Sequence, residues 1–236
     1  MIKVGIVCAG DRELAPFLPH IEHCRISKKA MLTFYEGIIH GMDIVALFCG
    51  VCKTNAAIAT QILIDSYNVD IVINAGTAGG MDEALGVLDT VISTEIAHHD
   101  VHEEILTAFH PRMPSLFFKA DDILLALSTK AAKQIDDKHR IHWGRMVTGE
   151  TFTTDEGRET INSIFEPLSV DMETASIAQV CYVNNIPFIS IRTLTDTATH
   201  SGTENFDKNC VAASFISKEI VLSLILEIRN HFGYPM

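Results

Sequence analysis

Three charged side chains follow the ends of two predicted strands within residues 168–196. Glu173 opens a predicted helix just past the first strand, and Arg192 and Asp196 stand at the end of the second. This strand, helix, strand order and its length are typical of a βαβ crossover. Ligands of open α/β sheets bind outside the carboxyl ends of strands, where carboxylates can exchange protons with them. The segment therefore predicts a ligand site. The alternative is a sheet edge whose charges satisfy one another, with Glu173 favouring the helix dipole.

A further carboxylate, Glu13, belongs to the same predicted rim. Residues 2–7 form an apolar first strand, and residues 11–13 open a helix directly after it. Acidic residues are favoured in a first helical turn by the helix dipole. Glu13 is therefore either a helix-start residue or a carboxylate placed beside a ligand.

Two other segments are predicted to reach this rim. The strand 69–75 runs into the glycine cluster 76–80, and the strand 141–147 is followed by Gly149 and Phe152. Clustered glycines let a backbone pass close to a ligand, although a tight turn is the alternative. The cluster matches neither a phosphate-binding loop nor a dinucleotide fingerprint. Phe152 could stack on a heterocycle or belong to ordinary core packing.

Two patterns suggest other chemistry, and the sequence favours neither. Cys49 and Cys52 have redox-motif spacing before the helix 56–67, but the chain lacks the size and order of a small redox domain. His98 and His99 precede His102, yet neighbouring residues on a strand face opposite ways, and no ligand set of known spacing completes a metal site. No metal is therefore expected.

The composition narrows the classes of function. The chain has 236 residues, 47% of them hydrophobic, and a formal charge of −12. An acidic protein of this kind is not expected to bind nucleic acid or an anionic membrane. No apolar run reaches membrane-spanning length, and no signal peptide is recognised. The six scattered cysteines are then expected to be reduced in a cytoplasmic protein.

The rest of the chain continues the alternation of strands and helices. Residues 31–39 and 44–48 form a strand pair, 87–96 a strand, 103–115 a loop, and 120–135 and 211–230 helices, with Phe206 and Asp207 just before the last one. There is no internal repeat and no linker-like stretch. We therefore expect one domain spanning residues 1–236.

These segments together resemble the purine nucleoside phosphorylase and nucleosidase superfamily. The likeness runs through nearly the whole chain and is nearest to the bacterial methylthioadenosine/S-adenosylhomocysteine nucleosidases. It implies a three-layer α/β/α sandwich around a mixed, largely parallel, twisted sheet. The segments that carry it are 5–13 (GIVCAGDRE), 74–80 (NAGTAGG), 147–152 (VTGETF), 170–173 (VDME) and 192–196 (RTLTD), with 119–122 (KADD) in support.

The resemblance assigns catalytic roles to four residues. Asp196 would be the general acid that protonates purine N7, and Glu13 would take a proton from the attacking water. Glu173 would hold the ribose hydroxyls and favour the developing cation, while Arg192 would orient Glu173 and the water. The reaction implied is hydrolysis of the N-glycosidic bond of 5′-substituted adenosines, without metal or cofactor.

The resemblance also assigns the residues that bind the substrate. Thr77 would hold water, where the family usually has serine, and Phe152 would stack on adenine while the backbone of Thr153 reads its edge. Met172 would pack under the ribose, and Gly79 would line the site. The apolar pocket for the 5′ group would contain Val51, Leu106, Phe109 and Phe206.

The family likeness predicts a homodimer, because the segment around Phe109 usually reaches the neighbouring subunit's site. Here that segment is longer, Pro111 stands where an aromatic residue is common, and Gly10 replaces a bulkier apolar residue. The 5′ substituent therefore stays open among methylthio, homocysteinyl and the larger futalosine-type groups.

Two rival functions also remain. The related phosphorylases, which act on purine nucleosides or on methylthioadenosine, carry arginine at the loop position of Glu13, and Arg12 next to it keeps a phosphorylase open as an alternative. The second alternative is a non-enzymatic nucleoside-binding protein. The presence of Glu13, Glu173 and Asp196 argues against it.

Overall fold

The first strand is apolar because it lies in the middle of the sheet and is covered on both faces. In the computed structural model it pairs in parallel with a strand on each side, Met42–Phe48 and Ile71–Gly80. The structure describes residues 2–110, 112–136, 138–153, 155–197 and 203–233. Pro111, which the sequence singled out, lies outside these residues.

All strands of the described residues belong to one ten-stranded sheet. Five of its pairings are parallel and five are antiparallel, so the predicted mixed sheet is confirmed. The strands in chain order are β1 (Lys3–Cys8), β2 (Glu22–Lys29), β3 (Leu32–Ile39), β4 (Met42–Phe48), β5 (Ile71–Gly80), β6 (Thr90–His98), β7 (Phe117–Lys119), β8 (Ile141–Thr148), β9 (Ser169–Asp171) and β10 (Phe188–Asp196).

Helices cover both faces of this sheet, as the predicted three-layer fold requires. The final helix packs on β5, β10 and the fourth helix, while the second and sixth helices pack together on the opposite side. A large apolar cluster lies under each set. The helices are α1 (Asp11–Leu14), α2 (Lys53–Tyr67), α3 (Glu103–Ala108), α4 (Asp122–Ala132), α5 (Asp155–Phe165), α6 (Thr174–Asn184) and α7 (Thr203–Phe232).

The expected βαβ crossover is wrong in one respect. Strands β9 and β10 both pair with β5, but β9 runs antiparallel to it and β10 parallel. The strands β5, β10, β6, β8 and β9 form a closed ring, because β6 pairs with both β10 and β8, and β8 pairs with β9. Gly79 of β5 therefore faces Val170 on one side and Asp196 on the other. Ring closure, not a simple crossover, brings the ends of β9 and β10 together.

Three boundaries also differ from prediction. The expected loop 103–115 begins with α3, which has Glu103 and Glu104 in its first turn, where the helix dipole favours acid. Helix α7 begins at Thr203, so Phe206 and Asp207 lie inside it; its first turns are largely polar and lack the apolar pattern that marked the predicted helix. The glycines of 76–80 continue β5 and do not form a turn.

Three further elements were not predicted from the sequence, and the shortest of them is β7 (Phe117–Lys119). Strand β2 lies at the sheet edge and is mostly exposed, so it lacks the apolar alternation of a half-buried strand. Helix α5 follows the Phe152 segment. No helix in the described ranges combines the length and the apolar character needed to cross a membrane.

Candidate active site

A cavity of about 460 Å³ lies where β1, β5, β9 and β10 end. It contains most of the residues that the sequence nominated, drawn from seven separate parts of the chain. Those on its wall are Glu13, Val51, Thr77, Gly79, Phe152, Thr153, Met172, Glu173, Arg192, Asp196 and Phe206.

Glu13 is fixed by donors from two chain segments. Its Oε2 accepts hydrogen bonds from the backbone amides of Ala9, at 2.7 Å, and Gly10, at 3.0 Å. Its Oε1 accepts from the amide and the hydroxyl of Thr77, at 2.7 and 2.8 Å. A Cβ on Gly76 would lie 2.4 Å from Glu13 Oε1, so only glycine fits beneath this carboxylate. The turn after β1 and the end of β5 thus hold Glu13 between them.

Arg192 lies at the centre of the buried charges and is 1% exposed. Its Nε donates to Asn74 Oδ1 at 3.0 Å, its Nη1 to the Thr77 carbonyl at 2.9 Å, and its Nη2 to Glu173 Oε2 at 3.4 Å. Burial alone would lower the pKa of Arg192, but the surrounding Asp171, Glu13 and Glu173 carboxylates outweigh it and raise the pKa. Arg192 is therefore a permanent cation.

Asp171 and Asn74 support this arrangement, and the sequence did not nominate either. Asp171 Oδ1 accepts the amides of Glu173 and Thr174, each at 3.0 Å, and so holds the start of α6. Asn74 Oδ1 accepts from Arg192 and from Thr174 Oγ1 at 2.8 Å. An aspartate just before a helix is a known capping signal, which could have identified Asp171.

Glu173 is held from a part of the chain far away in sequence. Its Oε1 accepts the backbone amide of Cys52 at 2.9 Å, and its Oε2 faces Arg192. Burial raises the pKa of Glu173 to about 7, and the Asp171 and Glu13 carboxylates add to this effect, while Arg192 and the Cys52 amide oppose it. The charge of Glu173 is therefore sensitive to pH near neutrality.

Asp196 has quite different surroundings. It is 3% exposed, and its Oδ1 accepts the hydroxyl of Thr195 at 2.8 Å. A Cβ on Gly79 would approach Asp196 Oδ2 to 3.1 Å, so glycine there makes room for the carboxylate. Burial raises the pKa of Asp196, against the opposing effects of Thr195 and Arg158. This carboxyl group is suited to carrying a proton.

The outer part of the cavity is more apolar. Phe152 and Val51 are 39% and 51% exposed at its edge, and Met172 and Phe206 also line it. Such a wall could bind a flat heterocycle and an apolar substituent.

Leu106 and Phe109 do not reach the cavity within this chain. Leu106 is buried in the apolar cluster beneath α2 and α6, and Phe109 is 62% exposed. Their predicted roles in the 5′ pocket remain predictions, and that of Phe109 depends on a second subunit.

Two further charged residues of the cavity wall, Arg12 and Asp207, form an ion pair with each other. Arg12 Nη1 lies 3.0 Å from Asp207 Oδ1 of α7, and both residues line the cavity. Among the described residues, no group of three or more His, Cys, Asp or Glu side chains is placed to hold a metal ion.

Comparisons with known proteins identify the family of this chain. Residues 3–226 match the family model described as the phosphorylase superfamily. The 5′-methylthioadenosine/S-adenosylhomocysteine nucleosidase of Bacillus cytotoxicus is 35% identical, over 97% of this chain and the whole of the relative.

Two solved structures are also similar. The nucleosidase of the same name from Colwellia psychrerythraea, in complex with adenine, has a TM-score of 0.88 and 34% identity, covering 96% of this chain and 95% of that one. The Neisseria meningitidis nucleosidase, in complex with methylthio-immucillin-A, has a TM-score of 0.88 and 30% identity, covering 96% and 99%. The chain therefore belongs to the phosphorylase superfamily and, within it, to the 5′-methylthioadenosine/S-adenosylhomocysteine nucleosidase family.

Proposed function

We propose that the protein hydrolyses the N-glycosidic bond of 5′-methylthioadenosine and S-adenosylhomocysteine, releasing adenine and the 5′-thio-substituted ribose. The observation that carries this proposal is the pair of buried carboxylates in one cavity, Glu13 surrounded by donors and Asp196 with a raised pKa. One is suited to accept a proton and the other to give one. The relatives that carry this name support the same reaction.

The leaving group is activated by Asp196. Adenine departs readily only when its N7 is protonated, since the electron pair of the breaking bond then neutralises a cationic purine. Asp196 donates this proton, and its raised pKa keeps the acid form available. Phe152 stacks on the base, and the backbone of Thr153 contacts its edge.

The sugar is stabilised by Glu173 as it becomes cationic. Glu173 accepts hydrogen bonds from the ribose hydroxyls, and its negative charge favours the oxocarbenium-like transition state. Arg192 and the Cys52 amide hold Glu173 in place for this role. Met172 packs under the ribose.

Glu13 accepts the proton of the attacking water, while its oxygen forms the new bond to the ribose carbon. The Thr77 hydroxyl and Arg192 lie beside Glu13 and help to place this water. Phosphate is disfavoured as the nucleophile, because Glu13 and Glu173 repel an anion. The two arginines on the cavity wall are already engaged with Asp207 or with the buried carboxylates.

We also propose that the enzyme acts as a cytoplasmic homodimer in which the Phe109 segment reaches the neighbouring site. Phe109, Ile105 and Val51 are more than half exposed, which supports a covering partner. All six cysteines are free, which supports a reducing compartment. Sedimentation equilibrium gives the mass of the protein in solution. A monomer at the concentration of the assay would contradict the proposed homodimer.

The experiment that tests the function is adenine release from methylthioadenosine with and without phosphate. S-adenosylhomocysteine and inosine are run beside it. We expect release that is independent of phosphate, with free methylthioribose as the sugar product. Release that requires phosphate and yields a sugar 1-phosphate would instead make the protein a phosphorylase. Tight binding of nucleoside without turnover would make it a binding protein.

A further inference from the structure

The segment after β6 contains a charged cluster outside the cavity. Asp100 accepts two hydrogen bonds from Lys53 Nζ, each at 2.8 Å, and one from the backbone amide of Glu150 at 2.9 Å. Lys53 Nζ also lies 3.7 Å from the Glu150 carboxylate. The Lys53–Asp100–Glu150 cluster therefore ties the start of α2 to the segment that follows β8.

The first of these two segments supports Glu173. Lys53 opens α2, and the residue before it, Cys52, donates its backbone amide to Glu173 Oε1. Cys52 has φ of 83° and ψ of 161°, a conformation that is almost confined to glycine. A side-chain-bearing residue keeps such a conformation only where its surroundings fix it. The position of the Cys52 amide thus depends on how firmly its neighbour Lys53 is held.

The second segment forms another wall of the cavity. Glu150 precedes Phe152 and Thr153, which line the cavity. The two segments also touch directly, since Cys52 Sγ lies 3.7 Å from the Glu150 carbonyl. A displacement of either segment would therefore be passed to the other.

We propose that Asp100 is a positioning residue of the active site, which holds the Cys52 amide against Glu173 and the Phe152 segment over the cavity through Lys53 and the Glu150 amide. The role rests on the proposed function, because Glu173 and Phe152 are the groups it places. It also gives a use to the segment 98–100, whose histidines first suggested metal chemistry.

The charges of the cluster are suited to this role near neutral pH. Burial alone would raise the pKa of Asp100, but the Lys53 ammonium and the Glu150 amide outweigh it and lower the pKa. Burial lowers the pKa of the adjacent His98 and His99, so these imidazoles are neutral. The attraction between Lys53 and Asp100 is therefore present wherever the enzyme is assayed near pH 7.

The test is the steady-state kinetics of Asp100→Asn with methylthioadenosine as substrate. Displacement of the Cys52 and Phe152 segments should lower kcat/KM on the order of 10- to 100-fold. KM should rise because Phe152 moves, and kcat should fall because Glu173 is less well held. Glu173 would also lose its Cys52 donor, so the acidic limb of the pH profile should move to higher pH. The other titratable groups that face Glu173 are Arg192, Asp171, Glu13 and the thiols of Cys49 and Cys52, and none of them is substituted in this variant.

Asp89→Asn is the matched control. Asp89 lies at the other end of β6, where it also joins a cation, Arg140 at 2.7 Å, to a backbone amide, that of Gly86 at 2.9 Å. This variant should lower the melting temperature and leave KM and the pH profile unchanged. Lys53→Gln is the second variant, and it should reproduce the defect of Asp100→Asn. The double variant should be no worse than either single one, because the pair acts as a unit.

The outcomes separate this inference from the proposed function. If the wild-type protein releases no adenine, the proposed function fails. If the wild-type protein is active while Asp100→Asn and Lys53→Gln keep its KM and its pH profile, the positioning role fails and the function stands. These variants could also lose activity only because less of the protein is folded. In that case KM and the acidic limb of the pH profile stay at their wild-type values, and the positioning role is rejected.

Discussion

Glu13 and Asp196 line one cavity and are almost equally buried, at 5% and 3% exposure, yet the described residues around them differ. Glu13 accepts three backbone amides and one hydroxyl, with the Arg192 guanidinium 3.7 Å away. Asp196 lies against the glycine backbone of β5 and accepts the hydroxyl of Thr195. Burial alone therefore does not decide what a carboxyl group can do.

The difference lies in what faces each group. Donors aimed at a carboxylate suit a negative charge, whereas burial favours the protonated acid. For Asp196, burial raises the pKa. In the proposed reaction the first group takes a proton from water and the second gives one to the purine. The comparison thus predicts that substitution of Asp196 will impair protonation of the purine, whereas substitution of Glu13 will impair proton removal from water.

The largest expected effect is that of Asp196→Asn. This change keeps the shape of the side chain but removes the proton, so kcat should fall by roughly 10²–10⁴-fold. The melting temperature should change little, because the amide oxygen can still accept the Thr195 hydroxyl. Steady-state kinetics and thermal unfolding check both parts; near-normal activity would remove Asp196 from the acid role.

Glu13→Gln should have the next largest effect. The amide cannot take a proton from water, and its NH₂ group would face the donors that now point at Glu13. We expect kcat to fall by roughly 10²–10³-fold and stability to fall by about 1–3 kcal/mol. Denaturant unfolding measures the second part. Full activity in this variant would exclude Glu13 as the base.

A pair of alanine substitutions tests whether the placement of Glu13 matters. In Gly76→Ala the new Cβ would lie 2.4 Å from Glu13 Oε1, so the carboxylate must move and kcat/KM should fall on the order of 10²-fold. The control Gly157→Ala lies in α5, outside the residues that line the cavity, and no atom lies within 4 Å of its new Cβ. It should leave kcat/KM unchanged and change stability by at most about 1 kcal/mol, in the stabilising direction that alanine has in a helix. Equal effects of the two substitutions would contradict the account.

The smallest expected effect is that of Phe152→Leu at the edge of the cavity. It removes a flat ring that would stack on adenine, which is worth about 0.5–1.5 kcal/mol. KM for methylthioadenosine should therefore rise by a few fold, with kcat nearly unchanged. An unchanged KM would place the base elsewhere in the cavity.

The sequence predicted the residues of the cavity better than the way in which they meet. Glu13, Glu173, Arg192 and Asp196 could be nominated because polar residues just past apolar runs mark strand ends. Their convergence was expected from a parallel crossover, but it comes from ring closure, which places Gly79 between β9 and β10. Strand order of this kind depends on long-range pairing that local patterns do not encode.

The donors that tune these groups could not be predicted for the same reason. The Cys52 amide lies 121 residues from Glu173, and Asn74 lies 118 residues from Arg192. A backbone amide has no sequence signature, and neither pair shares an element. Leu106 and Phe109 differ from these residues, because Leu106 packs in the apolar cluster beneath α2 and α6 and Phe109 is exposed, so that neither lines the cavity of this chain.

The most direct test of the central comparison uses a substrate whose purine needs no proton. N7-methylated methylthioadenosine already carries the positive charge that Asp196 would supply. With this substrate Asp196→Asn should recover to within about tenfold of the wild-type kcat/KM, while Glu13→Gln should stay as slow as on methylthioadenosine. If Asp196→Asn is equally impaired on both substrates, Asp196 does not protonate the leaving group, and the assignment of the two carboxylates is contradicted.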